Sequence, residues 1–186
     1  MRTLLIVATA MTLMAGGAAA SVTVFGSDSA TQCSKAALAG QSDITAETFC
    51  TRALDEDSLN SWDRAGTFVN RGVMKLRRAD YKSSRADFDA ALALVPDMAE
   101  AWVNRGAMWV GERQYQTAVD DLNRAIQLGV KEPEKAYFDR ALAYEGLDNE
   151  KAAYFDYQKA LELKPDWELP QHELLRFHVS TKPIAG

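Results

Sequence analysis

Histidine, cysteine and proline are scarce in this sequence, with two, two and five residues respectively. The two histidines, His172 and His178, lie six positions apart, so on a helix they would point about 240° away from each other and could not share a metal ion. The sequence also contains no glycine-rich phosphate loop and no signature around a serine or cysteine nucleophile. We therefore expect no enzymatic activity, no cofactor and no metal site.

An excess of positive charge is also missing. The net charge is −5 at pH 7, and acidic and basic residues are interspersed along the chain. Proteins that bind nucleic acids present a basic face to the phosphates. The charge balance therefore predicts that nucleic acid is not a partner.

Long apolar runs are missing except near the N-terminus. Residues 4–14 carry no charge, follow Arg2 and precede the small residues Ala18–Ala20. This order is typical of a secretory signal peptide, and the run is shorter than the roughly 20 apolar residues that span a bilayer. We predict that residues 1–20 are removed ahead of Ser21, that the mature protein has no stable membrane insertion, and that it is periplasmic or, alternatively, secreted. The other interpretation is a retained N-terminal anchor.

The two cysteines, Cys33 and Cys50, are predicted to form a disulfide, because an exported protein meets an oxidising compartment. Closing a loop of this size would stabilise the fold by roughly 3 kcal/mol in the chain-entropy description. The alternative is a pair of buried free thiols.

The sequence does contain a pattern that recurs every 34 or 35 residues. It begins with the runs Asn70-Arg71-Gly72, Asn104-Arg105-Gly106 and Asp139-Arg140-Ala141. Each run is followed by a small residue, an aromatic residue or leucine, and an alanine, which are Ser84, Phe88 and Ala91, then Ala118, Leu122 and Ala125, then Ala153, Tyr157 and Ala160. Self-similarity at this period indicates a solenoid of stacked two-helix units.

The pattern resembles the tetratricopeptide repeat family, whose unit has tryptophan, glycine, tyrosine, alanine, phenylalanine and proline at fixed positions. The second copy carries the resemblance most fully, at Trp102, Gly106, Tyr115, Ala118 and Ala125. The resemblance implies an all-α fold, namely a right-handed α-solenoid of three helix-turn-helix repeats with N- and C-terminal capping helices. It also implies a non-catalytic scaffold that binds another protein or a peptide.

The repeats set the expected domain organisation. We place them at residues 62–96, 97–131 and 133–165. Before them, residues 21–61 are expected to form a flexible leader and a disulfide-linked helical cap. After them, residues 166–186 are expected to form a capping helix from Trp167 to Val179 and a frayed tail.

The repeats depart from the family pattern in one respect, because arginine replaces leucine ahead of the glycine position in every copy. An aspartate follows each arginine sixteen residues later. Guanidinium and carboxylate groups match as a two-pronged fork. We therefore predict one structural ion pair in each repeat, Arg71 with Asp87, Arg105 with Asp121 and Arg140 with Asp156, either within a unit or across to its neighbour. The alternative is solvated surface charge.

The resemblance also implies a concave face, lined by the first helix of each unit, where an extended peptide or a helix binds. The matching positions predict a mostly apolar partner groove: Val69, Val73, Val103, Asn104, Ala107, Lys135, Phe138 and Leu142. Some members of the family grip a C-terminal carboxylate at such positions, but only Asn104 and Lys135 fit that clamp, so we do not expect one. A polar margin could come from Gly66, Asn70, Glu100, Asp139 and Glu145. The terminal segments could instead cover the groove.

The predicted function is a protein-binding adaptor of the cell envelope. One alternative is a structural subunit that self-associates through the same face, so an oligomer is possible. A further alternative is a glycan-binding or hydrolase accessory of the envelope, to which the tryptophans could contribute a sugar platform.

Overall fold

Paired helices make up most of the chain in the computed structural model, which describes residues 2–8, 19–24 and 26–183. The helices of these described ranges are α1 (Asp28–Leu38), α2 (Ile44–Glu56), α3 (Ser61–Arg77), α4 (Tyr81–Leu94), α5 (Ala99–Gly111), α6 (Tyr115–Gln127), α7 (Pro133–Gly146), α8 (Glu150–Leu163) and α9 (Glu168–Leu174). Each of the pairs α3–α4, α5–α6 and α7–α8 is one repeat, and consecutive repeats contact each other through α4–α5 and α6–α7. The all-α solenoid expected from the sequence is therefore confirmed.

The turn inside each repeat has the same unusual backbone. Ala79, Arg113 and Asp148 occupy equivalent positions and have φ of 58°, 60° and 57°. This left-handed conformation is unfavourable for residues with a Cβ. It recurs because a tight reversal is needed for the second helix to lie back along the first.

Glycine allows bulky side chains to approach closely, both within and between repeats. A Cβ at Gly72 would lie 2.5 Å from Cε1 of Phe88, the bulky residue of the partner helix in the same repeat. Between repeats, a Cβ at Gly111 would lie 2.6 Å from Cε1 of Tyr81. Gly72 therefore contacts a large side chain of the same repeat.

The helices α1 and α2 form the N-terminal cap, and the predicted disulfide joins them. Cys33 and Cys50 are bonded, with their Cα atoms 4.7 Å apart, and both are fully buried. The cap packs on the first repeat, where Sγ of Cys50 lies 3.9 Å from Sδ of Met74. Met74 belongs to α3, so the disulfide-linked cap packs directly on the start of the solenoid.

The C-terminal end differs from the sequence expectation. The capping helix ends at Leu174, and Phe177–Pro183 forms a strand, β2, that pairs antiparallel with a strand β1 at Arg2–Ala8. Alternate residues with high strand preference at Phe177, Val179 and Thr181 explain why the helix does not reach Val179. The frayed tail was expected from residue 182; residues 182–183 belong to β2, and residues 184–186 lie outside the described ranges.

The predicted signal peptide is only partly described. Residues 2–8 form β1, and apolar, β-branched residues such as Ile6 and Val7 favour that strand. Removal of residues 1–20 stays a prediction. Residues 9–18 lie outside the described ranges. In the part of the chain that the structure describes, no helix has both the length and the apolar character needed to cross a bilayer.

A buried polar cluster closes the last repeat. The hydroxyl of Tyr157 donates to Oε1 of Glu145 at 2.6 Å, and Nη2 of Arg176 donates to the same carboxylate at 2.7 and 2.8 Å. Burial, together with the charge of Glu145, raises the pKa of Tyr157 well above its ordinary value. The hydroxyl therefore stays protonated, and the contact holds the C-terminal segment on α7 and α8.

Candidate functional site

The groove formed by the first helices of the repeats, α3, α5 and α7, contains a segment of the chain itself. This segment, Ala19–Val24, has no helix or strand of its own and is called the leader segment below. Its alternate residues Ala20, Val22 and Val24 are 1%, 7% and 2% exposed. The expected flexible leader is therefore seated on the solenoid, because its small apolar residues fill the groove.

Asn70 of α3 holds the leader segment at Val22. Its Oδ1 accepts from the amide of Val22 at 2.8 Å, and its Nδ2 donates to the carbonyl of Val22 at 2.7 Å. One side-chain amide thus pairs with both main-chain groups of a single residue, as a neighbouring β-strand would. Asn70 is fully buried, so these bonds satisfy polar atoms that are shielded from water.

Asn104 of α5 repeats this arrangement at Ala20. Its Oδ1 accepts from the amide of Ala20 at 2.9 Å, and its Nδ2 donates to the carbonyl of Ala20 at 2.6 Å. In α7, Nζ of Lys135 donates to the carbonyl of Ala19 at 3.1 Å. Successive repeats therefore bind the segment as it runs from the third repeat towards the first.

The spacing of the two asparagines matches an extended peptide. Asn70 and Asn104 are equivalent residues of adjacent repeats, and they bind residues two apart in the leader segment. Two residues of extended chain cover about 6.6 Å, so the two asparagines bind points about that far apart on the segment. In the first two repeats, each asparagine therefore binds one dipeptide of the segment.

The groove has room for the leader segment beside α3 because Gly66 has no side chain there. A Cβ at Gly66 would lie 2.9 Å from Cγ2 of Val24 and 3.0 Å from Cγ1 of Val22. On the opposite side, Oγ of Ser34 in α1 donates to the carbonyl of Val22 at 3.0 Å and accepts from the amide of Val24 at 3.2 Å. Val22 and Val24 are thus held between α3 and the cap.

Part of the groove stays open beside the leader segment. A cavity of about 180 Å³ is lined by Ala20–Thr23 together with Trp62, Glu100, Val130, Lys131 and Glu132. The ring of Trp62 is 51% exposed at its edge. This opening gives the groove a mixed lining of acidic, basic and aromatic groups.

The predicted groove residues divide into two sets. Asn104 and Lys135 contact the leader segment directly. The apolar members are all buried, with exposures of 0–5%: Val69, Val73, Val103, Ala107, Phe138 and Leu142. Val69 and Val73 share a buried cluster with Val22 and Val24, whereas Val103, Phe138 and Leu142 share one with Ala20. A terminal segment therefore covers the groove, which is the alternative that the sequence left open.

The sequence placed Asn70 only in the polar margin of the groove, whereas it binds the leader segment directly. The signal that could have found it is the asparagine shared by the runs at 70–72 and 104–106. A buried residue that recurs with an amide side chain needs polar partners. Those partners belong to a segment outside the repeats, so the period itself does not reveal them.

Each repeat arginine is paired with the aspartate sixteen residues later. Nε and Nη2 of Arg105 donate to the two oxygens of Asp121 at 2.7 and 2.9 Å, and Arg140 and Asp156 make the same fork at 2.7 and 2.8 Å. In the first repeat, Nη2 of Arg71 donates to Asp87 at 2.7 Å. The pairs lie within a repeat and are largely buried.

The same guanidinium groups also reach the preceding helical pair. Nη1 of Arg105 donates to Asp89 at 2.8 Å, and Nη1 of Arg140 donates to Asn123 at 2.6 Å. Burial acts to lower the pKa of Arg105, but the hydrogen bonds and charges of Asp121 and Asp89 outweigh it and raise the pKa. These arginines remain charged and fix the stacking that aligns the groove.

The side chains that line the groove are polar groups directed at a main chain. Among the residues that the structure describes, no three histidine, cysteine or acidic side chains come together as a metal site. The groups that face the leader segment are amides, a hydroxyl and a lysine, all engaged with main-chain atoms. This chemistry is suited to holding a peptide.

Comparison with known proteins identifies the fold. Residues 134–166 match the tetratricopeptide repeat family, and no curated protein matches the chain in sequence. The third repeat therefore matches the tetratricopeptide repeat, the family that the sequence pattern resembles.

Solved structures of this fold align over most of the chain. The Arabidopsis OM64 TPR domain is 23% identical, covers 63% of this chain and 96% of its own, and superposes with a TM-score of 0.59. MamA from Desulfovibrio magneticus RS-1, residues 41 to the end, is 22% identical, covers 81% and 84%, and has a TM-score of 0.61. The first TPR of Spaghetti (RPAP3), bound to the HSP90 peptide SRMEEVD, is 23% identical, covers 61% and 90%, and has a TM-score of 0.58. At these identities the likeness establishes the fold.

Proposed function

We propose that this protein is a non-catalytic adaptor that binds an extended segment of another protein along the α3–α5–α7 groove. The observation that carries the proposal is the paired amide contact that Asn70 and Asn104 make with the main chain of Val22 and Ala20. Equivalent side chains in adjacent repeats bind successive dipeptides of one strand. A groove with this geometry is suited to a peptide ligand.

Two further observations support the proposal. The similar domain of Spaghetti is described in complex with an HSP90 peptide, so this fold accommodates a peptide in at least one relative. In addition, each hydrogen bond to a main-chain group contributes roughly 0.5–1.5 kcal/mol net. Several such bonds, together with burial of small apolar side chains, are enough for specific binding.

We place this adaptor in the cell envelope, in the periplasm or secreted. The support is the charge-free run at residues 4–14 ahead of small residues, and the disulfide between Cys33 and Cys50, which suits an oxidising compartment. Mass measurement of the protein from the exported fraction tests this assignment. A mature chain that begins at Ser21 supports it, and an intact chain found in the cytosol contradicts it.

Photocrosslinking tests the groove directly. A photoreactive amino acid at Trp62, which is half exposed beside the leader segment, should capture the partner, and mass spectrometry should place the crosslink in an extended segment of that partner. Asn104→Ala should strongly reduce the crosslink, because it removes both main-chain contacts of one dipeptide.

The matched control is Asn149→Ala, which removes an amide that caps α8 and contacts no part of the leader segment among the described hydrogen bonds. It should leave the crosslink intact. Equal capture by the wild-type protein and the folded Asn104→Ala variant would show that the partner binds elsewhere.

A further inference from the structure

We propose that, in the chain that still carries residues 19 and 20, the leader segment Ala19–Val24 is a built-in competitor for the groove, and that it defines the class of peptide that the groove accepts. This inference rests on the proposed function. The competing partner segment is extended, has small aliphatic side chains at every second residue, and tolerates variation at the residue that corresponds to Thr23.

The contacts of the leader segment supply the recognition rule. The asparagines bind only main-chain atoms, so they select extended conformation and not side-chain identity. The selection for size comes from the enclosed positions, because Ala20 is 1% exposed and Gly66 leaves no space for a Cβ beside Val22 and Val24. Thr23 is exposed, which leaves its position free to vary.

The two halves of the leader segment are held differently. Val22 is bound from both sides, by Asn70 of α3 and by Ser34 of α1. The hydrogen bonds of Ala19 and Ala20 in the described chain go to Lys135 and Asn104 on the far repeats. Displacement therefore starts at Ala19–Ala20, where the cap makes no described hydrogen bond.

The tether explains why the groove is closed in the intact chain. Only residues 25–27 separate the leader segment from α1, so its local concentration at the groove is high, on the order of millimolar or above. A free peptide must overcome this competition. A cut ahead of Ser21 would remove the contacts of Ala19 and Ala20 and would weaken the competitor without touching the groove.

The test uses the full chain and a synthetic probe, acetyl-Ala-Ala-Ser-Val-Thr-Val-amide, which copies residues 19–24. The double substitution Ala20→Glu and Val22→Glu evicts the leader segment, because two carboxylates cannot occupy the enclosed positions near Glu100 and Glu132. We expect the evicted chain to bind the probe at least about tenfold more tightly than wild type, which corresponds to a leader that fills the groove at least 90% of the time.

A second variant guards against misfolding. Ala20→Pro removes only the amide that donates to Asn104, so it should give a smaller gain in affinity for the same reason. Circular dichroism confirms that each variant retains its helices. A probe with tryptophan at the Ala20 position should not bind, whereas a probe with lysine at the Thr23 position should bind like the parent.

Adding Asn104→Ala to the evicted chain should abolish binding, and adding Asn149→Ala should preserve it. Equal affinity of the wild-type and evicted chains would overturn the competitor role and leave the peptide groove in place. Absence of probe binding to every folded variant would overturn the recognition rule, and the crosslinking experiment, which uses no leader peptide, would then decide the proposed function separately.

Discussion

At the scale of single residues, the repeat arginines connect stacking with the groove. Arg105 forks onto Asp121 within its repeat, reaches Asp89 of the preceding repeat and lies 4.7 Å from the centre of the Trp102 ring. A planar guanidinium can make these three contacts at once, whereas an ammonium group cannot. The arginine therefore sets the orientation of α5, the helix that carries Asn104.

Removing the carboxylate of this fork should be costly. Asp121→Ala leaves a largely buried guanidinium without its main partner, and we expect the free energy of unfolding to fall by about 2–3 kcal/mol, less than for a fully buried pair because Arg105 keeps some contact with solvent. Urea unfolding measures the change. The control is Asp89→Ala, whose side chain is 50% exposed and which should change stability by less than about 1 kcal/mol. Equal losses for the two variants would contradict this assignment.

Gly66 offers a residue-scale test of how the leader segment is seated. Gly66→Ala favours the helix by roughly 0.5–1 kcal/mol, but its Cβ would meet Val22 and Val24 at 3.0 Å or less. We expect faster hydrogen exchange at the amides of Val22 and Val24 while exchange in α3 stays unchanged or slows. Unchanged exchange at both valines would show that the leader segment has room to adjust.

The residue-scale pattern was predictable where it repeats and unpredictable where it does not. The Arg–Asp spacing occurs three times, so opposite charges at a fixed interval pointed to a pair. The partners of Asn70 and Asn104 lie in the leader segment, which belongs to no repeat. Its serine and threonine residues favour a disordered assignment, and only tertiary contact shows that alternate alanine and valine residues fill a groove.

At the scale of helices and turns, each repeat contains one residue in the unfavourable left-handed conformation. Ala79, Arg113 and Asp148 adopt positive φ at equivalent positions in the turns between paired helices. Glycine adopts this conformation without a Cβ penalty. The family-like sequence pattern predicted that a turn is present but did not predict its backbone.

Arg113→Gly should therefore stabilise the second repeat. Relief of the Cβ penalty outweighs the extra freedom of glycine in the unfolded chain, and we expect a net gain of about 0.5–1 kcal/mol in thermal unfolding. Replacing Gly129, where φ is 75°, with a residue that has a Cβ should lower the stability of the fold. A loss of stability in Arg113→Gly would mean that the arginine side chain contributes more than its backbone strain.

The ends of the chain show where element prediction fails for a physical reason. The paired helices follow the period in the sequence because each helix is specified by several equivalent positions. After Leu174 this redundancy ends, and the aromatic and β-branched residues of Phe177–Pro183 find a strand partner at Arg2–Ala8. Pairing between segments so distant in sequence leaves no local trace that a periodic pattern can detect.

At the scale of the whole molecule, the cap couples the disulfide to the groove. Ser34, which clamps Val22 and Val24, directly follows Cys33 in α1, and the disulfide fixes α1 to α2. Contacts of both cap helices with α3 carry this constraint to the first repeat. The state of one covalent bond therefore affects how firmly the leader segment is held.

Reduction should loosen the leader segment before it unfolds the repeats. Without the bond we expect a loss of roughly 3 kcal/mol in stability, and faster hydrogen exchange at Val22 and Val24 because α1 is no longer fixed. Exchange in α5–α8 should change little, since adjacent repeats support each other. The double substitution Cys33→Ser and Cys50→Ser should reproduce the effect without reductant. Uniform acceleration along the whole chain would contradict this local role of the cap.

Because Asn70 and Asn104 of adjacent repeats bind residues two apart, each further repeat with an asparagine at this position would bind two more residues of an extended peptide. A duplicated copy of the second repeat, residues 97–131, would add one more asparagine at this position and lengthen the bound strand by two residues. In this architecture the number of repeats thus sets the length of the bound ligand, whatever side chains the ligand carries.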